Sequence, residues 1–132
     1  MASKNSSINS IRQISAAGMV TTLAGLASVP GSTDGTNSAA RFRGPQAVAV
    51  RGTNNVTVYV ADTGNGTVRV ITPAAGSWVV NTFAGSASGG SSDGAGGNAR
   101  FYGPGAVAQQ HEQDRNAAQA VEFGDRPGPG RD

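Results

Sequence analysis

Three aspartates stand where a strand would give way to a turn. Asp34 and Asp93 are each followed by glycine, and Asp62 opens Asp62-Thr63-Gly64-Asn65-Gly66. A carboxylate in such a place can ligate calcium or a polar substrate. It can equally cap its own turn by accepting backbone N–H groups. The glycines around all three demand turns, so the capping role is the expected one, with Gly64 and Asn65 shaping the Asp62 turn. Arg41 and Arg100 precede Phe42 and Phe101. Together with Arg43, Arg51 and Arg69 they could offer weak contacts to an anion or to RNA. The competing expectation is that each phenylalanine plugs a gap between sheets while the arginine lies along the rim. Aromatic residues make up only 5% of the chain, few for stacking single-stranded bases.

Other chemistries find no purchase in the sequence. The single histidine, His111, sits beside Glu112 and Asp114 in a stretch without strand signals, and no cysteine occurs. Disulfides, thiolate sites and cysteine nucleophiles are therefore excluded. A metal centre needs convergent ligands on a rigid frame, and a Ser-His-Asp set needs its histidine among the folded elements. No catalytic residue, metal or cofactor is expected. Gly89-Gly90 and Gly94 to Gly97 lie in a serine/glycine connector rather than between a strand and a helix, the context of a phosphate-binding loop. The Asn-X-Ser/Thr patterns at Asn5, Asn55 and Asn65 are expected by chance in this composition. The net charge of +2 is too small to argue for nucleic acid. No apolar run approaches the ~18 residues of a membrane helix, and the polar start has no signal-peptide core. The compartment stays open.

The elements that must position these residues announce themselves by repetition. Val20-Thr21-Thr22-Leu23-Ala24-Gly25 returns as Val80-Asn81-Thr82-Phe83-Ala84-Gly85, 60 residues later. Asp34-Gly35, Ala40-Arg41-Phe42, Gly44-Pro45 and Ala47-Val48-Ala49 all return 59 residues on. Ser10 to Ser15 resembles Thr67 to Thr72 at a spacing of 57. Self-similarity of this kind marks a repeat architecture in which one unit cannot bury its own faces.

Residues 44–85 read as four strands: Ala47–Arg51, Val56–Ala61, Thr67–Thr72 and Trp78–Phe83. Alternation places Val56, Val58 and Val60 on one face of the second strand, and Thr57, Tyr59 and Ala61 on the other. Asp62 to Gly66 is the strongest hairpin signal, and Pro73 to Gly76 breaks the third strand. Such a meander of ~40 residues has the size of one propeller blade. At Gln109 the pattern stops, with no second strand and no hairpin after it. The tail is expected to be disordered or weakly helical between Asn116 and Phe123. Charge changes sign there too, from seven cations against three carboxylates in residues 1–108 to three against five in 109–132.

These segments resemble the NHL-repeat family of β-propellers. The resemblance rests on Ala39 to Val50, on Val58 to Pro73, and on Thr82-Phe83-Ala84-Gly85, and it covers roughly residues 8–108. It implies an all-β fold: an incomplete β-propeller of four-stranded antiparallel blades with a disordered C-terminal tail. The expected organisation is a repeat region, 1–108, and a low-complexity tail, 109–132. Within the first lie a partial blade at 8–25, a complete blade at 44–85 and the start of a third at 103–108. The family often has a basic residue or histidine after the hairpin asparagine, and Gly66 stands there instead.

The expected function is a non-catalytic interaction module, a piece of a larger propeller that binds a protein partner through loop-lined surfaces. The alternatives are a fragment of a propeller lyase or hydrolase with a channel metal, and an RNA-binding surface. One blade beside parts of two others is expected to need remaining blades or self-association, since little apolar burial opposes the ordering entropy. A shifted reading frame near codon 109 would account for the lost pattern.

Overall fold

In the computed structural model, residues 9–52, 56–86, 88–109 and 118–122 are described. They form nine strands: β1 (Ser10–Ile14), β2 (Val20–Gly25), β3 (Gly35–Thr36), β4 (Ala47–Arg51), β5 (Thr57–Asp62), β6 (Thr67–Ala74), β7 (Ser77–Gly85), β8 (Pro104–Gln109) and β9 (Ala118–Glu122). All pairings are antiparallel. The only helical turns among them are three-residue 3₁₀ segments at Asn37–Ala39, Thr63–Asn65 and Gly96–Asn98. The chain is thus all-β. Its described residues make three separate sheets, β1-β2, β3-β7-β6-β5-β4 and β8-β9.

The four expected strands of the central sheet stand where the sequence puts them, as a meander in which each pairs with the next. A fifth joins at the edge, where Gly35 and Thr36 pair with Val80 and Val79. Pro73 does not break β6. It faces Trp78, two residues past the last β5–β6 pair, Val58 with Ile71, so no ladder donor is needed on the β5 side. The turn comes later, at Ala75 (φ +49°) and Gly76 (φ +86°). Two successive positive φ angles are those of a type I′ hairpin, which asparagine tolerates better than alanine. Ala75→Asn is therefore expected to raise unfolding free energy by about 0.5–1 kcal/mol in urea titration.

Register sets which side chains share a face. Val58, Val60 and Asp62 on β5 align with Ile71, Arg69 and Thr67 on β6, and Ile71 and Arg69 in turn with Val80 and Thr82 on β7. Val58, Val60, Ile71 and Val80 form one core cluster with Ile11, Leu23 and Ala24 of the first hairpin and with Ala40 and Phe42 of the connector. The opposite face buries Tyr59, Ala61 and Val68, and the Tyr59 and Phe83 rings meet edge to face at 5.3 Å. Strand β8 lies against β4 and β5. Both faces of β5 are therefore covered, beyond the one-sided alternation of its valines.

The C-terminal segment departs from expectation. Ala118–Glu122 is neither helical nor unstructured but pairs with β8, Ala106 opposite Val121 and Pro104 opposite Glu122. Its small and polar residues carry little strand propensity. Pairing there answers the open edge of β8, the kind of context that outweighs propensity in sheets. His111 and the rest of the tail lie outside the described residues, as do Asn54 and Asn55 of the turn expected after β4.

Candidate functional site

Arg69 stands on the valine-rich face of the central sheet and is completely buried. A buried guanidinium is costly unless its charge is paired and most of its donors are met; here both terminal nitrogens are met, while Nε has no partner among the described residues. Nη1 donates to the Asp62 carboxylate at 2.9 Å and to the Arg41 carbonyl at 2.8 Å. Nη2 donates to Asp34 Oδ1 at 2.9 Å and to the Thr33 carbonyl at 3.1 Å. Its carbon Cζ lies 4.9 Å from the centre of the Phe42 ring, so a cation–π contact closes the remaining side.

The Asp62 carboxylate, also fully buried, is the second hub. Its Oδ1 accepts the Arg43 N–H at 2.8 Å, and its Oδ2 accepts Asn65 Nδ2 at 2.6 Å besides Arg69. Burial pushes the Asp62 carboxyl above its ordinary range, and the Arg43 amide, Asn65 and Arg69 pull it back only in part. Asn65 spends its other bond on the Gly31 carbonyl at 2.7 Å. Asp34 is half exposed and accepts Thr82 Oγ1 at 2.9 Å as well as Arg69. Loop 31–42 is thereby pinned to β6 and β7.

Several expectations change here. Asp34 and Asp62 are not simple turn caps: each ligates the buried Arg69. Arg69 is no surface contact for an anion or RNA, because its face of the sheet lies beneath the 31–42 loop. Arg41 and Arg100 bond to their own loops, through Nη1 to the carbonyls of Ser38 and Ala40, and of Gly97 and Ala99. Phe42 is buried as a plug, its ring reaching the backbone of Gly25; Phe101 reaches Gly85 in the same way but is only half buried. Asp93 is exposed and, among the described residues, has no ion-pair partner.

Arg43 remains exposed at one end of the sheet. Three loops meet there. Gly64 N–H donates to the Arg43 carbonyl at 2.8 Å, and Thr63 Oγ1 donates to the Pro104 carbonyl at 2.5 Å. A side chain on Gly64 would stand 2.5 Å from that Arg43 oxygen, which is why the position is glycine. The end so formed presents Arg43, Gly44, Gly64 and Tyr102 to solvent. Among the described residues, no group of three or more His, Asp or Glu is placed to hold a metal ion, and no helix is long and apolar enough to cross a membrane.

Sequence reasoning missed Asn9, which is buried and accepts the Gly44 N–H at 2.9 Å. It missed the Arg69 cage as well. Strand parity with Ile71 signals that Arg69 faces the core, but no local pattern names the carboxylates that meet it there.

What this geometry defines as a class is an all-β chain of antiparallel sheets with one connector, 31–42, tied down by ion pairs. No family model and no curated protein matches the sequence. Among solved structures, it is similar in fold to an auxiliary nutrient binding protein from Bacteroides thetaiotaomicron VPI-5482, with a TM-score of 0.67 and 21% identity over 80% of this chain and 28% of that one. A second, from Bacteroides ovatus ATCC 8483, gives a TM-score of 0.69 and 22% identity over 87% of this chain and 30% of that one. The chain thus spans under a third of the length of either neighbour.

Proposed function

We propose that the chain is a non-catalytic interaction module, a set of NHL-type propeller blades that binds a protein partner through the loop-lined end carrying Arg43 and Tyr102. The observation behind this reading is where the charged side chains are spent. Arg69, Asp62 and Asp34 hold the connector to the sheet, and Arg41 and Arg100 hold the connectors' own shape. The end loops then form a rigid, locally cross-braced surface with an exposed arginine and tyrosine, residue types that dominate binding hot spots. The names of the two structural neighbours also speak of binding. In this reading the repeat region extends beyond residue 108 through β9, and the complete blade is the meander of residues 44–85, closed at its edge by β3.

Protein and glycan arrays probed with the labelled chain test the assignment. The expected result is saturable binding to a protein target, weakened about tenfold by Arg43→Ala or Tyr102→Ala, the loss of one moderate hot spot, with circular dichroism unchanged. Binding to glycans alone would replace the protein partner by a carbohydrate, and turnover of a bound target would overturn the non-catalytic assignment.

A further inference from the structure

The first hairpin repeats the β6–β7 hairpin in register as well as in sequence. Arg12 pairs with Thr22, and Ile14 with Val20, as Arg69 pairs with Thr82 and Ile71 with Val80. The register shift falls at the same place, between Ile11 and Arg12 and between Val68 and Arg69. Exposure is opposite. Ile71, Val80 and Arg69 are buried completely, whereas Ile14 is 71% and Val20 41% exposed and Arg12 is exposed too. On β6–β7 that face is covered by the 31–42 loop together with Ile11, Leu23 and Ala24 of the first hairpin; on β1–β2 nothing among the described residues covers it.

The missing cover exists elsewhere in the molecule. Loop 90–101 repeats backbone bonds of loop 31–42: Arg100 N–H to the Ser92 carbonyl at 2.9 Å matches Arg41 N–H to Thr33 at 2.9 Å, and Ala99 N–H to Gly96 at 3.2 Å matches Ala40 N–H to Asn37 at 3.3 Å. Each arginine side chain also folds against a glycine, Arg100 on Gly90 and Arg41 on Gly31. Asp93 stands in this loop where Asp34 stands in the other. The β8–β9 register adds a second carboxylate. Ala47 pairs with Ala61 and its counterpart Ala106 with Val121, so Glu122 takes the register position of Asp62. Loop 90–101 and β9 thus hold an acidic pair at the positions that cage Arg69, and β1 holds an arginine with no such pair among the described residues.

We propose that a second copy of this chain docks head to tail on the Arg12 face, its loop 90–101 and β8–β9 pair sitting as loop 31–42 and β4–β5 sit on β6–β7. This rests on the blade reading above. Strand β9 of one copy then pairs with β1 of the next, making a four-stranded sheet, β8-β9-β1-β2, with Asp93 placed toward Arg12 as Asp34 is toward Arg69 and Glu122 at the register position of Asp62. The cover brings the same connector to Ile14 and Val20 that Ile71 and Val80 already have. The contact is heterologous, so copies add until the rotation closes a ring. With one whole and one shared sheet per copy, closure at the usual four to eight blades takes roughly two to four copies.

Sedimentation velocity on the full chain, with crosslinking, tests this. The wild type is expected to sediment as a discrete oligomer. Arg12→Asp and Asp93→Arg should each weaken assembly about a hundredfold, the scale of losing one partner of a buried ion pair. Because the chain has no cysteine, Thr22→Cys with Asp93→Cys should be joined between copies by a short bismaleimide, while Thr22→Cys alone should not. Crosslinking of that single variant would show a symmetric contact and overturn the head-to-tail arrangement. A wild type that stays monomeric at high micromolar concentration with a β-sheet circular dichroism spectrum overturns self-docking and leaves the blade reading standing. A monomer without that spectrum overturns both.

Discussion

Arg69→Met is expected to lower the free energy of unfolding by about 3–5 kcal/mol, the scale of breaking a buried ion pair from one side. The substitution keeps much of the side chain's bulk, so the loss isolates charge. It leaves the Asp62 carboxylate fully buried with only Asn65 and the Arg43 amide, and it leaves the Asp34 carboxylate tied to the sheet by Thr82 alone. The Thr33 and Arg41 carbonyls lose their donor as well. Urea denaturation at one fixed chain concentration measures the loss, since any assembly makes apparent stability depend on concentration. Combining Arg69→Met with Asp62→Leu should recover a large part of it, because an apolar replacement of the whole pair removes the desolvation cost together with the attraction. If the double variant were less stable than Arg69→Met, the charge-burial account would be wrong, and the geometry of the hydrogen-bond network would matter more than the buried charge.

Phe42→Ala is expected to cost about 3–5 kcal/mol by the same measurement, the range for deleting a buried aromatic ring. The ring lies at the junction of three elements. It touches Gly25 at the end of β2, belongs to the core cluster of the central sheet, and covers the Arg69 guanidinium. Its removal opens a cavity and admits water to the cage, so hydrogen exchange at β6 amides should accelerate with it. Phe101 occupies the repeated position but is only half buried, and Phe101→Ala is expected to cost about half as much in the isolated chain. Equal losses at the two positions in a monomeric sample would contradict the exposure difference between them.

The two effects have one origin. The connector between β2 and β4 is long and polar, and such a segment is ordinarily the least stable part of a small β protein. Here it is held by an ion-paired arginine from below and by a phenylalanine driven into the core. That construction lets loop 43–46 and the Thr63–Asn65 turn stand rigidly at the sheet end, which is what the proposed binding surface needs. It also explains why a cation in a strand serves better than another valine: an apolar residue would bury area, but could not fix the Asp34 and Thr33 groups of the connector in one place.

Much of the fold was legible in the residues themselves. Alternating valines, Asp-Thr-Gly-Asn-Gly and the recurrence of Ala-Gly and Ala-Arg-Phe are local signals, and local signals determine strands, hairpins and repeat length. The four strands from Ala47 to Gly85 therefore follow from sequence alone. The function of Arg69 does not. An arginine at a strand position reads as a solvated rim residue unless one knows that Asp34, 35 positions earlier, folds over it; burial of a charge depends on which distant carboxylates arrive, and no periodicity within a strand carries that information. The pairing of β9 with β8 was likewise invisible, since Ala118-Gln119-Ala120-Val121-Glu122 has no strand signature of its own and was recruited by an unpaired edge. The sequence by itself determined the elements and their repetition, because propensity and alternation act over a few residues. Tertiary structure alone decided that Asp34 and Asp62 ion-pair with a buried Arg69 while the equivalent Arg12 lies open, because ion pairing and burial are set by what packs across the sheet.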